Sequence, residues 1–361
     1  MIRMIGFEFE KILNRRIVYA AIAFLVIMCG AICTGRGAGA QMALSAEGGG
    51  YLEGREAVAY DKEVAARYEG VLTKEKVEEI LETYAPDAID ARFWMVNNTY
   101  DTMSCFYMGN DGSYNGGSVR GAFPDYLDEK PLIWGYNEGW ISFLETGMYM
   151  MVFVGFLLVI ALSPVFSEEY TRGTDALILT SRHGKGKCVW AKIIASYLFT
   201  LLTVGICLLF FTVNYLHDFG LDGAGASIQL NTHFVFHGVP YFLTCSGTAG
   251  YCLVLWGGGS LILTAFVLLL SALCRFAFTT VIAALACYTV PSMFGQIGIP
   301  PQILSLNPIW DFLAEQPVMI PKLSLGGAEL SYVWVVAVFA LLMTAAAFVF
   351  GKKIFAGHQV M

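Results

Sequence analysis

Six stretches of this chain, residues 17–33, 146–166, 193–216, 250–274, 276–299 and 332–351, contain no Asp, Glu, Lys or Arg. An α-helix rises about 1.5 Å per residue, so about 20 uncharged residues cross the roughly 30 Å hydrocarbon core of a bilayer. The stretches are apolar all round instead of alternating with period two, which selects helices over the strands of a membrane barrel. The composition agrees: 57% of the residues are hydrophobic and 14% are charged, and the mean hydropathy is +0.60. A water-soluble domain has roughly 25% charged residues and could not hide this much apolar surface. The expected class is an all-α polytopic membrane protein with six transmembrane helices. The first stretch is short, is expected to extend backwards, and lacks a convincing cleavage site, so it reads as a retained span.

The basic residues orient these spans. With both termini in the cytoplasm, Arg3, Lys11, Arg15 and Arg16 lie inside in segment 1–16, Arg172, Arg182, Lys185, Lys187 and Lys192 in segment 167–192, Arg275 between spans four and five, and Lys352 and Lys353 in the tail 352–361. The short outer loops 217–249 and 300–331 hold one basic residue between them, Lys322, as the positive-inside rule requires. Against the inner acids Glu8, Glu10, Glu168, Glu169 and Asp175 the inner face keeps a positive excess, so the net charge of −7 puts the acidity outside. Nothing in this pattern points to nucleic acid.

Residues 34–145 form the long connection between spans one and two, expected to be an inserted, mainly helical extracytoplasmic domain. It opens on a Gly-rich linker. Val77, Ile80, Leu81 and Tyr84 share a helical face, with Thr73 as N-cap and Pro86 as stop, and Val64 and Tyr68 suggest a helix before it. Trp134, Tyr136 and Trp140 stand just before span two, where amphipathic rings form an aromatic belt at the headgroups, with substrate contact as the alternative. Glu145 reads as interfacial. Residues 231–249 and 300–316 read as outer interfacial or re-entrant segments. The run of Gly257, Gly258, Gly259 and Ser260 favours close helix packing or a local break, and Pro164 and Pro291 are candidate kinks.

The most patterned stretch is the loop 167–192. Ser167 stands where a cap would start a helix, with Glu168 and Glu169 in the first turn; Gly173 interrupts it, and Thr174 is placed to cap a second short helix with apolar Leu177, Ile178 and Leu179. In this pattern the chain resembles the permease subunits of type-2 ABC exporters, whose signature after span two has an acidic pair, a Gly-Thr, a short leucine-rich helix, a basic residue and a Lys entering span three. Glu168, Glu169, Gly173, Thr174, Leu177 to Leu179, Arg182 and Lys192 match it. The resemblance implies that Glu168, Glu169, Gly173, Thr174, Leu177, Leu179 and Arg182 couple the spans to a separate ABC ATPase subunit through a docking helix. It also implies a homodimer or a pair of similar permeases in the cell membrane, and the large connection 34–145 looks like the variant common in Gram-positive bacteria. An ordinary basic loop obeying the positive-inside rule is the plainer account.

The amphipathic segment with Ile2, Ile5, Phe9 and Ile12 on one face reads as an interfacial helix. No catalytic chemistry is expected in this chain. The nearest phosphate-loop candidate, SRHGKGKC at residues 181–188, lacks the first Gly and has Cys188 where Ser or Thr should bind magnesium, and neither HExxH nor GxSxG occurs. His233 and His237 are spaced for one helix face but lack partner ligands nearby, so no metal and no cofactor is expected. The nine cysteines show no disulfide framework, since most lie in apolar runs. The alternatives to an exporter permease are a membrane-anchored sensor or assembly protein and an ion-driven carrier. The carrier is disfavoured because no ionisable residue lies mid-span to bind a coupling ion and no internal repeat is obvious.

Overall fold

The computed structural model describes residues 1–45, 50–85, 96–123, 130–181, 184–232, 236–297, 303, 306–313, 315–320, 323–325 and 328–357. An amphipathic helix, α1 (Ile2–Leu13), turns at Asn14 into the first long apolar helix, α2 (Arg16–Arg36). The extension expected for this span falls at its C-terminal end, where Arg36 adds a counter-charge beyond the apolar run.

The next residues pair β1 (Met42–Leu44) with β2 (Tyr51–Glu53) and form α3 (Arg55–Arg67), α4 (Lys74–Thr83) and α5 (Asn98–Tyr107), with β3 (Gly70–Val71) pairing to β4 (Ile133–Trp134). Thr73 caps α4 by accepting from Lys76 N, and Val77, Ile80, Leu81, Tyr84, Val64 and Tyr68 are buried, as their periodicity requires. Pro86 lies outside the described residues. Trp134 and Tyr136 are buried in this packing, and Trp140 Nε1 donates to Asp222 O at 2.8 Å, so the three rings are tied into the protein and do not form an exposed belt.

Segment 217–249 completes the same unit: Ser227 N donates to Ile133 O at 2.9 Å, Gln229 Nε2 donates to Tyr241 O at 2.7 Å, and the Phe106 and His237 rings lie 4.5 Å apart. Its first residues finish the helix Val189–Phe219 and its last begin the helix Cys245–Leu273, and between them His237 meets Phe106 of α5. His233 lies outside the described residues.

Four further long apolar helices follow: α6 (Glu138–Leu162) running into α7 (Pro164–Arg172), α9 (Val189–Phe219) after the short α8 (Asp175–Thr180), α10 (Cys245–Leu273), and α14 (Tyr332–Ala356). Together with α2, the described residues contain five helices long and apolar enough to cross a membrane. The segment expected as the fifth of six spans is α-helical only in α11 (Ala277–Thr289); from Val290 it tightens into a 3₁₀ helix that ends at Ile297. Pro291 brings no N–H to the ladder and so ends the α form there.

α6 begins eight residues before the expected start, so Glu138 and Glu145 are inside a helix and buried. Glu145 is paired with Arg36 at the end of α2, which is why a carboxylate expected at the interface is buried instead.

The core is α10, packed on α6, α7, α9, α11 and α14. Its glycine run makes no break. A Cβ on Gly258 would lie 3.0 Å from Val336 of α14, and one on Gly259 2.8 Å from Asp311. Asp311 belongs to the short helix α12 (Pro308–Phe312), which packs on α10 and α6 and is followed by α13 (Glu315–Val318). The segment read as an outer loop therefore reaches the middle of the bundle, and a carboxyl group stands there although none of the six expected spans carries a charged residue. The strands β5 (Leu323–Leu325) and β6 (Ala328–Leu330) form a last hairpin before α14.

Candidate functional site

The site begins at the break between α6 and α7. Pro164 has no N–H, and its ring opens the ladder after Leu162, leaving backbone donors of the next turn without helical acceptors. Ser271 of α10 takes them up: Phe166 N and Ser167 N donate to its Oγ at 2.9 and 3.2 Å, and that hydroxyl donates to Ser163 O at 2.5 Å. Ser167 is thus interior to α7, where its hydroxyl donates back to Ser163 O at 2.8 Å, and is not the expected cap. Pro164 at the first position starts α7 in its place. Tyr170 donates to Ala272 O at 3.1 Å and stacks on Phe355 of α14. α7 is therefore clamped to two long helices.

Its two glutamates point into a cluster of cations from distant parts of the chain. Glu169, 4% exposed, lies 2.8 Å from Lys192 Nζ and 2.5 Å from Lys11 Nζ, and accepts from Thr174 Oγ1 at 2.5 Å. Lys192, 1% exposed in the first turn of α9, also pairs with Glu8 of α1 at 2.9 Å. Glu168 accepts from Arg15 Nη2 and Nε at 2.7 and 3.1 Å and pairs with Arg172 at 2.5 Å, while Arg15 Nη1 donates to Ala161 O at 2.9 Å. A buried lysine persists only where carboxylates surround it, and here two do. The result joins α1, the α1–α2 elbow, α7 and the start of α9 into one body.

Gly173 ends α7 in the left-handed conformation at φ +65°, which a side chain would strain. Thr174 N then donates to Glu169 O at 3.0 Å. The Thr174 hydroxyl is committed to the Glu169 carboxylate and does not cap α8 through its side chain. The backbone of α8 is held from its other end. A Cβ on Gly184 would lie 1.5 Å from Ile178 O, so only glycine permits the turn Gly184–Cys188 to close against it before α9. Of the apolar residues of α8, Leu179 is buried and Leu177 is 73% exposed. Arg182 lies outside the described residues.

The structure thus brings together Glu168, Glu169, Gly173, Thr174, Leu177 and Leu179 on one rigid α7–α8 elbow. Sequence reasoning placed Glu8, Lys11 and Arg15 on the inner side but gave them no part in the site, and it weighed Gly184 only as part of a failed phosphate loop. The available signal was the i, i+3 spacing of Glu8 and Lys11, which puts two opposite charges side by side on α1 flanking its apolar face, with Arg15 just beyond the helix end. Among the described residues no group of three or more His, Cys, Asp or Glu could hold a metal ion.

A family model described as "ABC-2 family transporter protein" matches residues 4–356, which takes in every element of this site. No curated protein matches the chain, and no solved structure matches it. Proteins of this family are the transmembrane component of an ABC transporter and are distinct from its ATPase. With five long apolar helices, a helical bundle and a match over nearly its whole length, this chain belongs to the ABC-2 family of transporter proteins.

Proposed function

We propose that this chain is the permease subunit of an ATP-driven exporter in the cell membrane and that the α7–α8 elbow receives the movement of a separate ABC ATPase. The observation that carries this reading is Leu177, 73% exposed at the tip of a helix whose base is locked by the buried Glu169–Lys192 pair. An exposed leucine on a fixed six-residue helix is an anchor for a groove, not a membrane contact, since α8 is too short and too polar at its ends to enter lipid. Because α7 continues α6 and Gly184 fixes α8 to α9, a push on α8 tilts two long helices as rigid bodies. With α11 and its 3₁₀ continuation to Ile297 as a sixth crossing, both termini lie in the cytoplasm with the basic cluster, and residues 34–145 lie outside. A second permease chain, identical or similar, completes the transporter. Glu168 and Arg172 present a charged rim for the ATPase around the apolar tip.

Leu177→Asp should abolish co-purification of the partner ABC ATPase while leaving the permease folded, because the side chain is 73% exposed. Replacing Glu169 and Gly173 together should uncouple ATP hydrolysis from transport in a reconstituted complex. Normal transport per ATP in that double variant would refute the coupling assignment.

A further inference from the structure

Asn307 begins α12 by accepting from Ile309 N at 3.0 Å, and its Nδ2 donates to Cys287 O of α11, also at 3.0 Å. At the other end of α12, Trp256 Nε1 of α10 donates to Phe312 O at 3.0 Å. Between these anchors Asp311 is 0% exposed.

Two glycines make the seat. Gly259, against Asp311, is the central residue of the 29-residue α10, and Gly155, whose Cβ would lie 2.8 Å from Phe312 Cε2, is the central residue of the 35-residue stretch Glu138–Arg172. At about 1.5 Å per residue the carboxyl is therefore about 21 Å along α10 from either end.

Among the described residues, neither carboxyl oxygen of Asp311 has a hydrogen-bond partner. Nor do the described elements packed on α12 supply a cation. α10 and α11 carry no Asp, Glu, Lys, Arg or His, and their titratable side chains are Cys245, Tyr251, Cys252, Cys287 and Tyr288. Tyr288 spends its hydroxyl on Val152 O at 3.1 Å. α6 carries Glu138, Glu145 and Tyr149, all in its first half, with Glu145 paired to Arg36, and α13 carries Glu315. A carboxylate that is out of water and faces no cation becomes neutral by keeping a proton.

We propose that Asp311 is a proton-binding site at the centre of the helix bundle, a neutral carboxylic acid while α12 is docked, which exchanges its proton with water only when α12 lifts from α10. On release the O–H bond breaks, the electron pair stays on the carboxyl oxygen and the proton passes to water. Acid then favours the docked arrangement, and undocking of α12 is linked to loss of one proton. This holds whether or not α8 is the docking point of an ATPase.

Infrared spectra of the purified full-length chain in D₂O test it. At pH about 9, above the values near 8 and 7 of Asp61 and Asp101, the wild type should retain the carbonyl band of a protonated carboxyl group. That band should move on ¹³C labelling of aspartate and be absent from Asp311→Asn, whose amide has the shape of the neutral acid. Gly259→Ala, which forces Asp311 away, should bring its titration into the neutral range. Denaturation supplies a second reading: above the ordinary Asp range the wild-type folding constant should fall about tenfold more per pH unit than that of Asp311→Asn, until the proton is lost. Absence of the labelled band in wild type, or its persistence in Asp311→Asn, overturns the proposal, as do parallel pH profiles for the two proteins.

Discussion

Glu169 shows how much one side chain can organise when it is buried among charges. It holds Lys11, Lys192 and Thr174 at once, so Glu169→Gln leaves Lys192 with Glu8 alone and Lys11 without a carboxylate at that point. Removing one member of a buried ion pair costs about 3–5 kcal/mol, and because Glu8 remains the loss should fall at or below the lower end of that range. Thermal unfolding in detergent measures it, and Lys11→Met added to Glu169→Gln should cost less than the sum of the two. Asp61 gives a prediction of opposite character. Burial pushes its carboxyl up to about 8, against the Asn98 backbone N–H and with help from Glu138 and Asp101. Its folded value lies above the ordinary 3.8, so the folded state binds the extra proton. Its contribution to stability is then full in acid, falls as pH rises from about 4, and levels off beyond about 8. Unfolding followed across that range should show the decline, and Asp61→Asn should make it shallower while still accepting from Asn98 N.

At the scale of elements, close approach decides where helices can sit. The Cβ of Gly155→Ala would fall 2.2 Å from the Tyr288 hydroxyl oxygen, and that of Gly147→Ala 2.3 Å from Trp256 Cη2. Each should destabilise by about 1–3 kcal/mol through overpacking. Gly205→Ala on α9 meets nothing within 4 Å and should be neutral or stabilising by up to about 1 kcal/mol, as helix propensity dictates. Midpoints of denaturation for the three variants separate packing from propensity. The same reasoning explains why Pro164 is tolerated between α6 and α7: Ser271 on the neighbouring helix meets the backbone donors that the proline strands. A Ser271→Ala change removes that acceptor and should loosen α7 specifically, which hydrogen exchange at Phe166 and Ser167 would report.

For the whole molecule, the chain has two opposed ends joined through α10. At one end α1, α7, α8 and the start of α9 form a body cross-linked by buried charge; at the other, α3, α4, α5 and the described part of segment 217–249 pack together, with buried Trp134 at their sheet. A permease that converts a push at one end into opening at the other needs rigid ends and a yielding middle, and α12 at the centre of α10 is the element positioned to yield. Leu177→Asp and Asp311→Asn should therefore separate: the first loses the ATPase with the pH profile intact, and the second keeps the ATPase with the pH profile changed. Measuring both properties on both variants checks the division of labour.

The sequence by itself determined the membrane class, the five long apolar helices to within eight residues of their observed starts, the α4 face, and the break at Gly173, because each depends on local hydrophobicity or on the backbone freedom of one residue. It also named both glutamates of the elbow. Only the tertiary structure decided that α1 is bound into that elbow, that Thr174 serves Glu169 and does not cap α8, that Trp134 and Tyr136 are buried, and that Asp311 reaches the centre of α10. Those outcomes depend on which distant side chains meet: Lys192 and Glu8 are far apart along the chain, and no local period records their encounter. Charge along the sequence says where water must be, whereas charge in the fold depends on what stands opposite.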